Sequence, residues 1–251
     1  MKKLSVIGIG AGDPDHLTMQ AVKALSQVDV FFLMDKGPAK EMLLDLRREI
    51  CQRYIIGRTY RFVEAYSPER QRDDTDYTAS VEALNRAKQT TFERLIDEEL
   101  SDGQHGGFLV WGDPSLYDST LRILQAILDA GRCAFEFDVI PGITSVQALA
   151  AKHKVPLNTI GGSLEITTGR RLAAGQVGDA ASVVVMLDAG DAYQCVSDPD
   201  TRIYWGAYVG TPDERLIAGR LGDVADDIER TRKAAREEHG WIMDTYLLRR
   251  R

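Results

Sequence analysis

Residues 107–119 read GFLVWGDPSLYDS. An apolar run, Phe108 to Trp111, stops at Gly112-Asp113-Pro114, and a helix-like pattern begins near Ser119. A short apolar run closed by turn residues and followed by a helical period reads as strand, turn and helix. Open α/β sheets bind ligands at the carboxyl ends of their strands. The same turn is therefore either a plain connection or a ligand loop.

Three more strand ends share this style. GIGAGDP follows the β-branched run Leu4 to Ile9, IPGITS occupies 140–145, and YWGAYVGTPDE occupies 204–214. Between them, strands and helices alternate through the first 140 residues. Strands are expected at 4–9, 28–34, 54–56, 108–111 and 135–140, and helices at 18–27, 40–50, 77–101 and 119–130. Thr18 is the expected N-cap of the first helix. Val81, Leu84, Leu95 and Ile96 face inward on the third. Leu121, Leu124 and Leu128 form the apolar stripe of the fourth, which Gly131 stops. Residues 58–76 are polar, arginine-rich and without period, and read as a long loop or flap. Alternation of this kind implies a mostly parallel sheet with helices on both faces. Beyond a helix at 144–153, strands near 164–168, 182–187, 202–209, 215–219 and 241–248 have fewer helices between them. They imply a second α+β domain with a mixed sheet. The expected division is 1–141 and 142–251. The charged helix near 223–238 reads as a solvated face.

Composition narrows the function. The chain has 251 residues, 44% hydrophobic and 27% charged, ordinary values for a globular protein. No apolar run approaches the roughly 20 residues of a membrane-spanning helix, and the N-terminal stretch reads as a strand rather than a signal peptide. Cys51, Cys133 and Cys195 are scattered and form no CxxC, which fits a reducing cytoplasm. The histidines are equally scattered, and no metal site is expected. A net charge of −7 argues against nucleic acid as a main partner. It leaves room for an anionic small substrate bound by local arginines.

The glycine-rich loop is not a dinucleotide fingerprint. G-x-G-x-x-G counted from Gly8 needs glycine at 13, where Asp13 stands, and counted from Gly10 it meets Asp15. A carboxylate at the helix entry suits a cationic ligand or one rich in hydroxyls and amines, rather than a pyrophosphate.

GIGAGDPDHLTMQAVKAL, VWGDPSLY, VIPGITSVQALAA, VVVML and GTPDERLIAG occur in that order over nearly the whole chain. This series resembles the tetrapyrrole methylase family, S-adenosylmethionine-dependent enzymes of the cobalamin and sirohaem pathways. The resemblance implies a two-domain, class III methyltransferase-like α/β fold with the cofactor in the interdomain cleft, and a cytoplasmic homodimer. DKGPAKEMLLDLRREIC, RDDTDYTASVEALNRAK, GGFLVWGDPSLYDSTLRIL and TTGRRLA point within the family to the step that methylates precorrin-5 at C1 and releases its acetyl unit as acetate. Methylation at another ring position is the alternative. Ala11 departs from the proline that many relatives carry in this loop, and several relatives have a longer glycine-rich stretch after the GDP turn.

The resemblance also implies site residues. Ala11, Gly112, Asp113, Leu116 and Tyr117 would meet the cofactor, with Thr144 and Ser145 donating hydroxyls. As residues in their own right, those two hydroxyls read as plain N-caps. Leu187 would pack on the adenine or methionine portion. Backbone groups around Tyr204, Gly206, Ala207 and Met243 would hold the adenine. Methyl transfer to a nucleophilic ring carbon is mostly positioning, whereas release of acetate gains from a base and an oxyanion donor. Asp13, Asp76, Tyr77, Asp113 and Tyr117 are the candidates; Asp76 reads more readily as the N-cap of TASVEAL, and Tyr117 equally as a wall. Arg72, Arg170 and Arg171 are candidates for substrate carboxylates. Two readings outside the family are an NAD-dependent oxidoreductase, opposed by the missing third glycine, and a non-catalytic adenosylmethionine-binding protein.

Overall fold

Lys2–Gly8 form β1, the strand around which the first sheet assembles. The computed structural model describes residues 1–35, 37, 41–68 and 77–250, and the side chains of Tyr77 and Thr78 fall outside that description. The chain divides into two units. The first comprises Met1–Gly10 and Pro14–Ile143; the second comprises Ala11–Asp13 and the chain from Thr144 on.

In the first unit β1, β2 (Val30–Asp35), β3 (Arg61–Tyr66), β4 (His105–Val110) and β5 (Phe135–Ile140) form one sheet, in the order β3-β2-β4-β1-β5. All its pairings are parallel. Parallel neighbours need crossovers, and helices supply them: α1 (Met19–Leu25), α2 (Glu41–Tyr54), α3 (Tyr77–Glu99) and α4 (Thr120–Ala130). Because successive side chains leave a strand on opposite faces, each strand feeds two cores. Val6, Phe32, Phe108 and Val110 pack with Phe92 and Ile96 of α3 and Ile123, Leu124 and Ile127 of α4. Ile7, Phe31 and Leu109 pack with Ala21 and Leu25 of α1 and Ile50 and Cys51 of α2. Thr18 caps α1, accepting from Ala21 N at 3.0 Å. Gly131 closes α4 in the left-handed conformation (φ 66°).

Three expectations for this unit need correction. Tyr54–Ile56 is not a strand: α2 runs through Tyr54. Part of the expected 58–76 loop is β3, which among the described residues pairs only with β2 at the sheet edge and buries only Ala65 of its six residues, so its apolar signal is weak. The stripe of α4 is centred on Ile123, Leu124 and Ile127, with Leu121 and Leu128 half-buried beside it.

In the second unit the order is β6-β7-β10-β8-β9, from β6 (Leu164–Thr168), β7 (Ser182–Met186), β8 (Arg202–Ala207), β9 (Arg215–Arg220) and β10 (Asp244–Arg249). Only the β6–β7 pair is parallel. α5 (Ser145–His153) lies against β8 and β10. It comes close enough that a Cβ on Gly206 would meet Leu149 Cδ1 at 2.7 Å. α6 (Gly169–Ala173), absent from the sequence reading, has five residues, too few to show a helical period. Trp205, Tyr193, Tyr208 and Tyr246 fill the core together with Ile228 and Ala235 of α7 (Leu221–His239). α7 is not only a solvated face, because it also buries Arg232. The protein is thus α/β, with one parallel and one mixed sheet.

Candidate functional site

In the first unit the ends of β1, β4 and β5 converge on backbone alone. A Cβ on Gly142 would lie 2.1 Å from Gly112 O and 2.8 Å from Gly8 Cα. Gly10 and Gly112 bridge, with Gly112 N donating to Gly10 O at 2.8 Å. Asp113 ties the turn together: Gly142 N donates to its Oδ2 at 2.8 Å, while Ser115 N and Oγ donate to its Oδ1 at 2.8 and 2.5 Å. Burial disfavours its charge. The hydrogen bonds from Ser115 and from the Gly142 backbone outweigh burial and hold its pKa below the ordinary aspartate value. The side chain that the sequence offers to a ligand therefore also ties the end of β4 to the end of β5. Leu116 is half-buried. Tyr117 follows in the left-handed region (φ 53°), 43% exposed. A non-glycine residue held there costs about 1–3 kcal/mol, and such positions cluster at ligand sites.

In the second unit Ala11 is buried, Asp13 is half-buried, and the intervening Gly12 (φ 141°) lies so close to Thr211 that a Cβ would meet its Cγ2 at 2.6 Å. Thr144 is the N-cap of α5 in a capping box: Gln147 N donates to its Oγ1 and Thr144 N donates to Gln147 Oε1, at 3.4 and 2.9 Å. The Ser145 hydroxyl sits 3.1 Å from Thr245 Oγ1. Leu187, just beyond β7, is left-handed (φ 53°) and 63% exposed. Tyr204, Gly206 and Ala207 belong to β8, which pairs with β10 on one side and β9 on the other. Met243 O accepts from Tyr208 N at 2.9 Å. Arg170 and Arg171 are exposed on α6, and Arg171 donates to Gln176 O at 3.0 Å. Arg72 and Asp76 lie outside the described residues. Tyr77 opens α3, its side chain outside the description. Among the described residues no cluster of His, Cys, Asp and Glu could hold a metal ion.

Residues 3–225 match the family described as Tetrapyrrole (Corrin/Porphyrin) Methylases. The chain belongs to the tetrapyrrole methylase family. A precorrin-6A synthase (deacetylating) from a Sinorhizobium species is 49% identical over 250 residues, covering 100% of this chain and 96% of the relative. The crystal structure of a cobalamin-synthesis-related protein from Corynebacterium diphtheriae superposes with a TM-score of 0.84 at 36% identity, covering 99% of this chain and 98% of the other. A uroporphyrin-III C-methyl transferase from Thermus thermophilus, complexed with S-adenyl homocysteine, shares the fold: TM-score 0.60, 18% identity, 98% of this chain and 96% of the other. The two-sheet architecture is that of the class III tetrapyrrole methyltransferases.

Within this methylase the structure adds a buried network behind Leu187. Asp188 accepts from Tyr246 OH and Ala192 N, both at 2.8 Å. Arg232 donates to Asp188 O at 2.6 Å, to Asp244 Oδ2 at 2.7 Å and to Asp191. Trp205 Nε1 donates to the same Asp244 oxygen at 2.9 Å. Burial raises the Asp244 pKa above its ordinary value, with Arg232 and Trp205 opposing. Burial likewise works against the Arg232 charge, but Asp244 and Asp191 outweigh it and keep the guanidinium protonated. The sequence signal was present: Ile228, Arg232 and Ala235 share one helical face, so the arginine stands in an apolar stripe.

Proposed function

We propose that the chain is an S-adenosylmethionine-dependent C-methyltransferase of cobalamin biosynthesis, methylating precorrin-5 at C1 and releasing the acetyl unit as acetate to give precorrin-6A. The observation that carries this reading is the 49% identity, end to end, with a precorrin-6A synthase (deacetylating).

The donor set fits S-adenosylmethionine. An ionised Asp113 at a strand-end turn suits a ligand carrying ammonium, sulfonium and hydroxyl groups, and would repel a pyrophosphate. When bound, the cofactor supplies an electrophilic methyl group on a sulfonium leaving group. In the first unit Gly112, Leu116 and Tyr117 offer backbone and wall, and Asp113 offers charge. In the second unit the proposed groups are Ala11, Ser145, Leu187, Tyr204, Gly206, Ala207 and Met243, with Thr144 acting through the capped start of α5. β8 is paired on both sides, so its contribution comes from side chains and from its end at Ala207. Asp13, Asp76, Tyr77 and Tyr117 remain the proposed acid–base groups for acetate release. Arg72, Arg170 and Arg171 are proposed to meet substrate carboxylates; Arg170 and Arg171 are exposed as that role requires. No helix among the described residues is long and apolar enough to cross a membrane. A cytoplasmic homodimer is proposed.

The test is anaerobic. Precorrin-5 is generated in situ and mixed with the protein and methyl-labelled S-adenosylmethionine, and both macrocycle label and free acetate are followed. Label and acetate appearing together is the expected result. Label without acetate removes the deacetylating step, and neither product removes the precorrin-5 reading.

A further inference from the structure

A cavity of about 100 Å³ opens in the first unit beside the end of β4, lined by residues from β2, α2, α3, β4 and the start of α4 and by Ser67 just after β3. It is small beside the roughly 300–1,000 Å³ of pockets that take whole drug-sized ligands, so it admits a headgroup and not a ring system. Phe92 and Phe108 form part of an apolar wall, stacked at 4.5 Å between ring centroids.

Against this wall stand two cations. Arg47 reaches from α2 and donates from Nε to Leu109 O at 2.9 Å and from Nη1 to Leu43 O at 2.5 Å. Lys88 reaches from α3 and donates to Ser119 Oγ at 3.3 Å. Among the described residues, neither makes an ion pair. Among the described residues the acid whose charge acts on both is Asp118, which is engaged on Thr120 N at 2.7 Å and forms no salt bridge with either. Burial lowers the pKa of Arg47 to about 10 and that of Lys88 below its usual value, with Asp118 opposing in each case. Among the described residues, two cations in a partly desolvated cavity with one carboxylate acting on them leave a net positive field that an apolar surround strengthens. The N-terminus of the eleven-residue α4 adds to it, with Ser119 and Thr120 in the lining. Trp111 also lines the cavity, and its buried indole N–H has no hydrogen-bond partner among the described residues.

We propose that this cavity is a carboxylate-binding site, in which Lys88 Nζ and the Ser119 hydroxyl donate to the ligand and Arg47 supplies a second positive charge. The site itself rests on the geometry. The source of the carboxylate rests on the function proposed above: it is either a carboxylate arm of the tetrapyrrole or the acetate the reaction releases.

The test reads the indole N–H resonances of the ¹⁵N-labelled full chain. It contains three tryptophans, and Trp111→Phe assigns the signal at the cavity. Sodium acetate and uroporphyrin, a stable polycarboxylate porphyrin, are titrated separately at constant ionic strength against sodium chloride. A saturable shift of the Trp111 signal with acetate supports the site and allows free acetate as its ligand. A shift with uroporphyrin alone supports the site and assigns it to a tetrapyrrole arm. In either case Lys88→Met weakens the response about tenfold or more, the usual scale for a charged hydrogen bond. The proposal is overturned if neither ligand gives a saturable shift, if chloride reproduces it, or if Lys88→Met leaves it unchanged. The titration needs no turnover. A saturable shift without methyl transfer therefore keeps the site and removes the functional reading, and methyl transfer without a shift does the reverse.

Discussion

A methyl group on Gly142 has nowhere to go, because the atoms it would meet are the backbone of Gly112 and Gly8 and cannot rotate away. Gly142→Ala is expected to cost about 2 kcal/mol or more, the range of overpacking, and to weaken S-adenosylhomocysteine binding at the same turn. Urea unfolding and calorimetric titration read the two effects. Asp113 makes a pH-dependent prediction. Its folded-state pKa lies below the ordinary value. Its contribution is therefore complete above the unfolded value near 3.9 and fades as pH falls through the folded one. Asp113→Asn is expected to cost about 1–2 kcal/mol at pH 7. The gap between wild type and variant should narrow in urea melts as pH is lowered from about 5 through the unfolded value and on through the folded one. A gap that held constant would mean the charge of Asp113 contributes nothing.

At the scale of elements, the network around Arg232 joins α7 to β10 and to the turn after β7. Removing a buried partner leaves uncompensated charge, so Arg232→Met is expected to cost about 3–5 kcal/mol. Arg232→Met with Asp244→Leu should recover part of that loss, as thermal unfolding would show. Thr18→Ala removes the N-cap of α1 and is expected to cost about 1 kcal/mol. These elements differ in how plainly the sequence announced them. α4 was legible because Leu121, Leu124 and Leu128 repeat at helical spacing and Gly131 ends them, although the buried face is centred on Ile123, Leu124 and Ile127. β3 was not, because an edge strand with mostly half-exposed residues carries no apolar run. The network was hidden for a different reason: its members at 188, 191, 232 and 244 meet only through tertiary structure. A lone arginine in a charged helix reads as surface unless its neighbours at i−4 and i+3 are weighed.

For the whole molecule, the strand-end motifs carried most of the functional reading. GDP turns and Pro-Gly closures sit at carboxyl ends of strands, where the fold and the chemistry constrain the same residues. The capping role of Thr144 was legible beside its ligand reading; what escaped was the second task of Asp113, which latches a turn while standing where a ligand is proposed. The three cysteines give an independent check on the fold. Cys195 is exposed, Cys133 is half-buried, and Cys51 is buried with its thiol pushed up to about 12. A disulfide-exchange reagent at pH 8 should modify Cys195 first and reach Cys51 only on unfolding. The two sheets also differ in when they can be completed as the chain leaves the ribosome. β1 lies inside the first sheet, between β4 and β5, and is made before both, so it waits as a template for them. β10 lies inside the second, between β7 and β8, and is made after both. Until it emerges, β6–β7 and β8–β9 are two separate ribbons, each with an unpaired edge open to mispairing. The nascent second unit should therefore be the part of the chain that most needs a chaperone.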